Sequence, residues 1–138
     1  MFCLHYCVNS LGKAKREGAD CVTILGTGSA LRDFLPVDNL AEACLFLMDG
    51  YNDSGLVNIG IGEDISILDL AKLVKKIVGF EGEIQFDTSK PDGTQRKLMD
   101  VSKLNGLAWK ASTSLEVGIK NVYQEIKEKF GRFLNLIS

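Results

Sequence analysis

The chain has 138 residues, about one domain's worth, and its 46% apolar and 25% charged composition fits a globular protein rather than a disordered one. A net charge of −2 supplies no basic field for nucleic acid. No apolar run approaches the roughly 20 residues that span a bilayer, so no transmembrane helix is expected.

Residues 1–18 read as a poor helix with a polar end, KAKREG. The opening MFCLHYCV is short for a signal peptide and lacks a basic leading region. Cys3 and Cys7 flank the lone His5, but no second ligand pair follows at metal spacing, and structural zinc wants four ligands. With Cys21 and Cys44 they read as free thiols of a reducing, cytoplasmic setting, with no metal expected.

CVTIL (21–25) is β-branched and reads as a strand, ended by Gly26-Thr27-Gly28. RDFLPV (32–37) reads as a short extended segment, with Pro36 at an edge or strand end. Asp38 is a good N-cap for a helix to about Met48, with Leu40, Cys44, Leu47 and Met48 at helical spacing. LVNIG (56–60) reads as a strand. Ser66 and Asp69 make a capping box for a helix to Val78, whose seam is Ile67, Leu70, Ala71, Val74 and Ile77/Val78, with Lys72, Lys75 and Lys76 on the other face. Gly79 is its natural stop.

EIQFD (83–87) alternates as a strand does. A Pro91-Asp92-Gly93 turn follows, set by proline's fixed angle and glycine's freedom. A short helix is expected from near Ser102. Thr113 with Glu116 should cap the last helix, lined by Leu115, Ile119, Val122, Tyr123, Ile126 and Phe130. The predicted fold class is α/β, with short strands and amphipathic helices, coherent from about residue 20 onward.

Gly26-Thr27-Gly28 after a strand invites a dinucleotide reading, but Leu31 stands where the third glycine should be and no helix opens directly, so a tight turn is expected and no cofactor site. Only Tyr123 and Lys127 match Tyr-x-x-x-Lys, and Tyr123 lies on a packing seam. No general acid/base pair emerges, so no catalytic residue is assigned. Arg32 reads as a solvated surface charge and Asp92, Arg96 and Lys97 as solvated turn charges, while Arg96 and Lys97 would also suit an anionic ligand such as a pyrophosphate.

GTGSALRDFLPVDNLAEA resembles the segment G-T-G-x-x-x-R-[DE]-F-x-x-V-D-D-x-A of extended short-chain dehydrogenase/reductases, of the NAD-dependent epimerase/dehydratase family, that act on nucleotide sugars. VNIGIGEDISILDLAKLVKKIVGFEGEIQFDTSKPDGTQRKLMDVSKL, with its run K-P-D-G-T-x-R-K, is similar to the GDP-L-fucose synthases. These are NADPH-dependent 3,5-epimerase/4-reductases of GDP-4-dehydro-6-deoxy-D-mannose. The resemblance runs from about residue 20 to 130. It implies the C-terminal, substrate-binding portion of such an enzyme, without the Rossmann half and the catalytic Ser, Tyr and Lys.

The resemblance implies that Arg32 grips the nucleotide diphosphate and that Asp92, Arg96 and Lys97 lie on a substrate-side loop. Leu25 stands where the family usually has Trp, and Ser10 near a family basic residue, so substrate binding should be weaker. The implied division is an atypical segment over 1–19, a nucleotide-sugar-binding domain over 20–132 and a tail over 133–138. NADP is implied for the full-length family and not for this chain alone. The implied partners are a GDP-sugar and, in the full-length family, a second copy as homodimer. A non-catalytic GDP-sugar-binding module, a decayed fragment and another epimerase of the same family remain alternatives.

Overall fold

The structure is a computed structural model that describes residues 4–136, with side chains through Phe130. Cys3 and the last two residues of the 133–138 tail lie outside the described residues. Five helices and five strands follow one another as α1 (Leu4–Glu17), β1 (Cys21–Leu25), β2 (Leu31–Arg32), α2 (Val37–Gly50), β3 (Ile65–Ser66), α3 (Ile67–Val78), β4 (Glu83–Asp87), β5 (Arg96–Lys97), α4 (Ser102–Gly106) and α5 (Leu115–Leu136) among the described residues. No described helix is long and apolar enough to cross a membrane.

The strands form two small sheets. β1 and β4 pair in parallel, Cys21 opposite Glu83 through Leu25 opposite Asp87. β2 lies between β3, antiparallel, and β5, parallel. Parallel strands need a crossover, and α3 lies in the stretch between β1 and β4. Helices α1, α3 and α5 pack on one another and close the main core around Val8, Leu11, Leu70, Val74, Val78 and Ile119.

α3 forms for the reasons its sequence announces. The Ser66 hydroxyl accepts the Asp69 N–H at 3.0 Å and donates to the Asp69 carboxylate at 2.6 Å. Gly79 ends the helix in the left-handed region, φ 69°, with its N–H on the Lys75 carbonyl. Ile67, Leu70, Ala71, Val74 and Val78 are buried on its inner face. The Lys15 ammonium donates to the Val78 carbonyl at 2.8 Å, where the helix dipole favours a cation.

α1 is a better helix than its composition suggested. Cys7, Val8, Leu11 and Ala14 recur at i, i+1, i+4 and i+7 and are all buried, so a narrow stripe anchors a largely polar helix. The N-cap of α2 is corrected. Pro36 holds that position with no side-chain bond, and Asp38 stands in the first turn. The residues at helical spacing on α2 do not form its inner face: Leu40, Cys44 and Met48 are exposed, while Asn39 and Ala43 are buried.

Residues 56–60 are not a strand, because no neighbouring strand among the described residues is there to pair with them. Val57 and Ile59 instead pack on a second, smaller cluster of Ala43, Leu104 and Trp109. The cap of α5 moves by one residue: Ser114 accepts the Val117 N–H at 3.4 Å. Thr113 is taken by Asn39, which accepts its N–H at 3.0 Å and donates to its carbonyl at 2.7 Å. Tyr123 packs as expected, its hydroxyl reaching the Val78 carbonyl at 3.4 Å.

Candidate functional site

A cavity of about 1350 Å³ opens where the end of β1, the 26–30 loop, the β2–β5 strands and the 91–94 turn converge. Leu25, Arg32, Asp92 and Lys97 all line it. Arg96 does not, and the sheet explains why. On β5 successive side chains point to opposite faces. Lys97 is the register partner of Arg32, whereas Arg96 is opposite Leu31 and forms an ion pair with Asp64.

The Arg32–Lys97 pairing matters electrostatically. Two cations directly opposite on neighbouring strands repel, which destabilises the sheet unless an anion lies between or above them. Neither has an acidic partner among the described residues. The Arg32 guanidinium donates only to the Leu31 carbonyl, at 2.6 Å, which holds its stem while most of its donors stay free. Such a pair suits a diphosphate, whose oxygens accept from a guanidinium fork and an ammonium at once.

Asp33, beside Arg32, does not neutralise it. Its carboxylate accepts the Ile61 N–H at 3.2–3.3 Å and the Gly62 N–H at 3.1 Å, fastening β2 to the 60–62 loop. A Cβ on Gly60 would meet that carboxylate at 2.6 Å, so glycine is what allows the approach. The acid of the R-[DE]-F motif carried a signal that sequence reading could have used.

Asp92 has a fuller set of bonds than a ligand contact needs. It accepts the Thr27 N–H and the Thr27 hydroxyl, each at 2.6 Å, across 65 residues of sequence. These bonds hold its carboxyl below the usual carboxylate range. Asp92 thus latches the 91–94 turn to the Gly26-Thr27-Gly28 loop at the mouth of the cavity. The loop is tied from the other side too, since Leu68 N–H donates to the Gly28 carbonyl at 2.9 Å and Ile67 N–H to the Ala30 carbonyl at 3.0 Å. Leu25, 65% exposed, ends β1 at the same mouth and offers an aliphatic wall.

The glycine turn does not fit a dinucleotide phosphate. The Thr27 N–H, which a pyrophosphate would need, is occupied by a carboxylate, and a negative charge there repels a second anion. β1 leads into β2 rather than into a helix. Cys7 is equally unsuited to nucleophilic chemistry, as burial pushes its thiol up to about 12. Ser10 lies half-buried on α1. Among the described residues no group of three His, Cys, Asp or Glu side chains is placed to hold a metal ion.

The model of the NAD dependent epimerase/dehydratase family matches residues 5–60. The chain is 53% identical over 111 residues to GDP-L-fucose synthase 1 of Arabidopsis thaliana, an alignment covering 80% of this chain and 34% of that protein. Among solved structures it is similar to a GDP-L-fucose synthetase from Naegleria fowleri bound to NADP, with a TM-score of 0.86, 28% identity, and coverage of 93% of this chain and 40% of that one. It is also similar to a GDP-mannoheptose C4 reductase from Campylobacter jejuni with NADP bound, with a TM-score of 0.78, 37% identity, and coverage of 90% and 44%. The chain therefore spans about a third of the length of the curated relatives it matches. On these matches the chain is similar over residues 5–60 to the NAD dependent epimerase/dehydratase family and, over most of its own length, to part of the GDP-L-fucose synthases.

Proposed function

We propose that this chain is the nucleotide-sugar-holding portion of a GDP-L-fucose synthase, the NADPH-dependent 3,5-epimerase/4-reductase that converts GDP-4-dehydro-6-deoxy-D-mannose to GDP-L-fucose. The observation that carries this reading is the Arg32–Lys97 register pair, unneutralised and lining the cavity. The diphosphate would lie across the two cations. Asp92 would hold the rim of the cavity through Thr27, and Leu25 would cover one side of the ligand less fully than a flat aromatic ring. Arg96, paired to Asp64 on the other face, would steady β5 rather than touch the ligand.

Hydride and proton transfer would come from outside the residues described. Reduction of a 4-keto sugar needs a nicotinamide and a proton donor held against the substrate, and positioning of that kind accounts for about 7–11 kcal/mol of barrier lowering. The only Tyr-x-x-x-Lys in the chain spends its tyrosine on packing against Gly12 and Val78. A binding role for the isolated chain follows, in a cytoplasmic setting, with a second copy as partner of the complete enzyme.

Titration calorimetry of the 138-residue chain tests the reading. GDP should bind and guanosine should not. Arg32→Ala should weaken GDP binding by about 1.5–3 kcal/mol, the scale of a charge-assisted hydrogen bond. Lys97→Ala should cost less, since Lys97 is exposed, and Arg96→Ala should change little. Unchanged affinity in Arg32→Ala removes the diphosphate from this cavity. Substrate-dependent NADPH consumption by the purified chain would overturn the division of labour.

A further inference from the structure

The cavity has two unlike walls, built from different elements. Arg32 and Lys97 stand on β2 and β5, in the three-stranded sheet. Leu4 and Tyr6 of α1, with Thr23 and Leu25 of β1, supply lining that carries no charge. β1 belongs to the other sheet, and its exposed Thr23 and Leu25, two residues apart, face the same way. The volume of about 1350 Å³ exceeds the roughly 300–1000 Å³ of most small-molecule sites. A bare diphosphate on the cations would leave most of it empty.

Tyr6 stands out in the uncharged wall. It is 65% exposed, so its ring is open to a ligand. Its backbone is held, because the next two residues, Cys7 and Val8, are buried in the main core and α1 packs on α3 and α5. The ring therefore projects from a rigid element, which is what a positioned contact needs. Among the described residues that line the cavity only Tyr6 and Phe34 are aromatic, and Phe34 is half-buried and packed against the main core. The sequence set residues 1–19 apart from the binding domain, and the fold brings α1 to the cavity all the same.

An open aromatic ring and unneutralised cations in one cavity fit a ligand that joins a flat ring to a diphosphate. We propose that Tyr6 is a specificity-determining residue: the base of a nucleoside diphosphate stacks on its ring, with Leu25 as aliphatic wall, while the diphosphate lies on Arg32 and Lys97. Tyr6 has this role only if the diphosphate reading of those two cations holds, and it adds to that reading the side chain that selects a nucleotide over a bare diphosphate. Every base has a π-face, so stacking is tolerant of base identity. Tyr6 thus selects for the presence of a base and not for guanine alone. A tyrosine suits the task, since ordering its ring fixes only two side-chain angles.

Calorimetric titration of the 138-residue chain with GDP and with inorganic pyrophosphate separates the two walls. GDP should bind more tightly than pyrophosphate. Tyr6→Ala should weaken GDP binding about tenfold, the scale of a lost base–aromatic stack, and leave pyrophosphate binding unchanged. Tyr6→Phe should keep the parental affinity for GDP. Thermal unfolding of both variants should match the parent, because Tyr6 is exposed. In the unsubstituted chain the Tyr6 ring protons, identified by their loss in Tyr6→Phe, should move upfield in NMR spectra on addition of GDP and stay in place with pyrophosphate. Unchanged GDP affinity in Tyr6→Ala, or ring protons that GDP does not move, overturns the role of Tyr6 and leaves the diphosphate reading standing. Equal weakening of GDP and pyrophosphate by Tyr6→Ala also overturns it, because the ring would then be shaping the cavity rather than stacking on a base. Binding of neither ligand by the parent chain overturns both readings.

Discussion

Helices α2 and α3 have 14 and 12 residues and similar apolar content, yet the molecule uses them in opposite ways. α3 is capped by a side chain at one end and a left-handed glycine at the other, and it turns its whole stripe into the core. α2 begins at a proline without a side-chain cap, ends at Tyr51, and shows its stripe to solvent. Periodicity says which face of a helix is apolar. It does not say whether the partner for that face belongs to the same chain. The same contrast separates the main core, closed by three helices, from the small cluster around Trp109.

Cysteine chemistry sharpens the contrast most. Cys7 lies in the main core, and Cys44 lies on the exposed stripe of α2. Burial pushes the Cys7 thiol up to about 12. Its thiolate fraction at pH 8 is then on the order of a thousandfold lower than that of an ordinary thiol. Iodoacetamide at that pH should label Cys44 and Cys21 and spare Cys7 until the chain is unfolded. Equal labelling of Cys7 and Cys44 would mean that the three-helix core is open.

Truncation mutants test the same difference in stability. Leu70 is fully buried, so Leu70→Ala should cost about 2–5 kcal/mol in chemical denaturation. Met48→Ala removes a side chain of similar size from α2 and should stay within about 0.5 kcal/mol of the parent. A cost at Met48 matching that at Leu70 would make the outward stripe part of this chain's own core. Asn39 lies between the two extremes. It is the buried polar residue of α2 and ties that helix to Thr113 through both amide atoms. Asn39→Ala leaves a part-buried N–H and C=O without that partner and should cost about 1–3 kcal/mol. α2 is thus held inward by a polar clamp where α3 is held by packing.

What could be read from the sequence follows from the range of each interaction. The caps of α3, the strands 21–25 and 83–87 and the packing of Tyr123 depend on neighbours in sequence or on a strong stripe, and they stand as expected. The strand at 56–60 did not form, because a strand needs a partner that its own residues cannot specify. The cap at Thr113 moved to Ser114 because a side chain 74 residues away claimed the Thr113 backbone. At the candidate site, the charges were legible and their sorting was not. Arg96 and Lys97 are adjacent letters, and only the register of β5 against β2 sends one to Asp64 and the other to the cavity. Asp92 was visible as a turn residue, but its bonds to Thr27 exist only in the folded chain.

That last distinction yields the finest test. Asp92 and Asp100 both have carboxyls held below the ordinary range, Asp92 chiefly by the Thr27 hydroxyl and N–H, Asp100 chiefly by the Ser102 hydroxyl and N–H. A depressed folded pKa means stability that is present above the unfolded pKa, near 3.9, and lost as pH falls through the folded value. Both carboxylates should therefore hold their bonds at neutral pH and release them only in acid, below the range where an ordinary Asp titrates. They differ in what unfolding does. Ser102 is two residues from Asp100, so the local turn can re-form in a denatured chain. Thr27 is 65 residues from Asp92, and that contact vanishes with the fold. NMR titration of the side-chain carboxyl carbons in the native chain should give two low midpoints. In urea the Asp92 midpoint should return fully to the ordinary value, while the Asp100 midpoint should return only in part. A native Asp92 midpoint already at the ordinary value would mean that the 91–94 turn is not latched to the glycine loop, and the mouth of the cavity would lose the carboxylate that ties its two sides together.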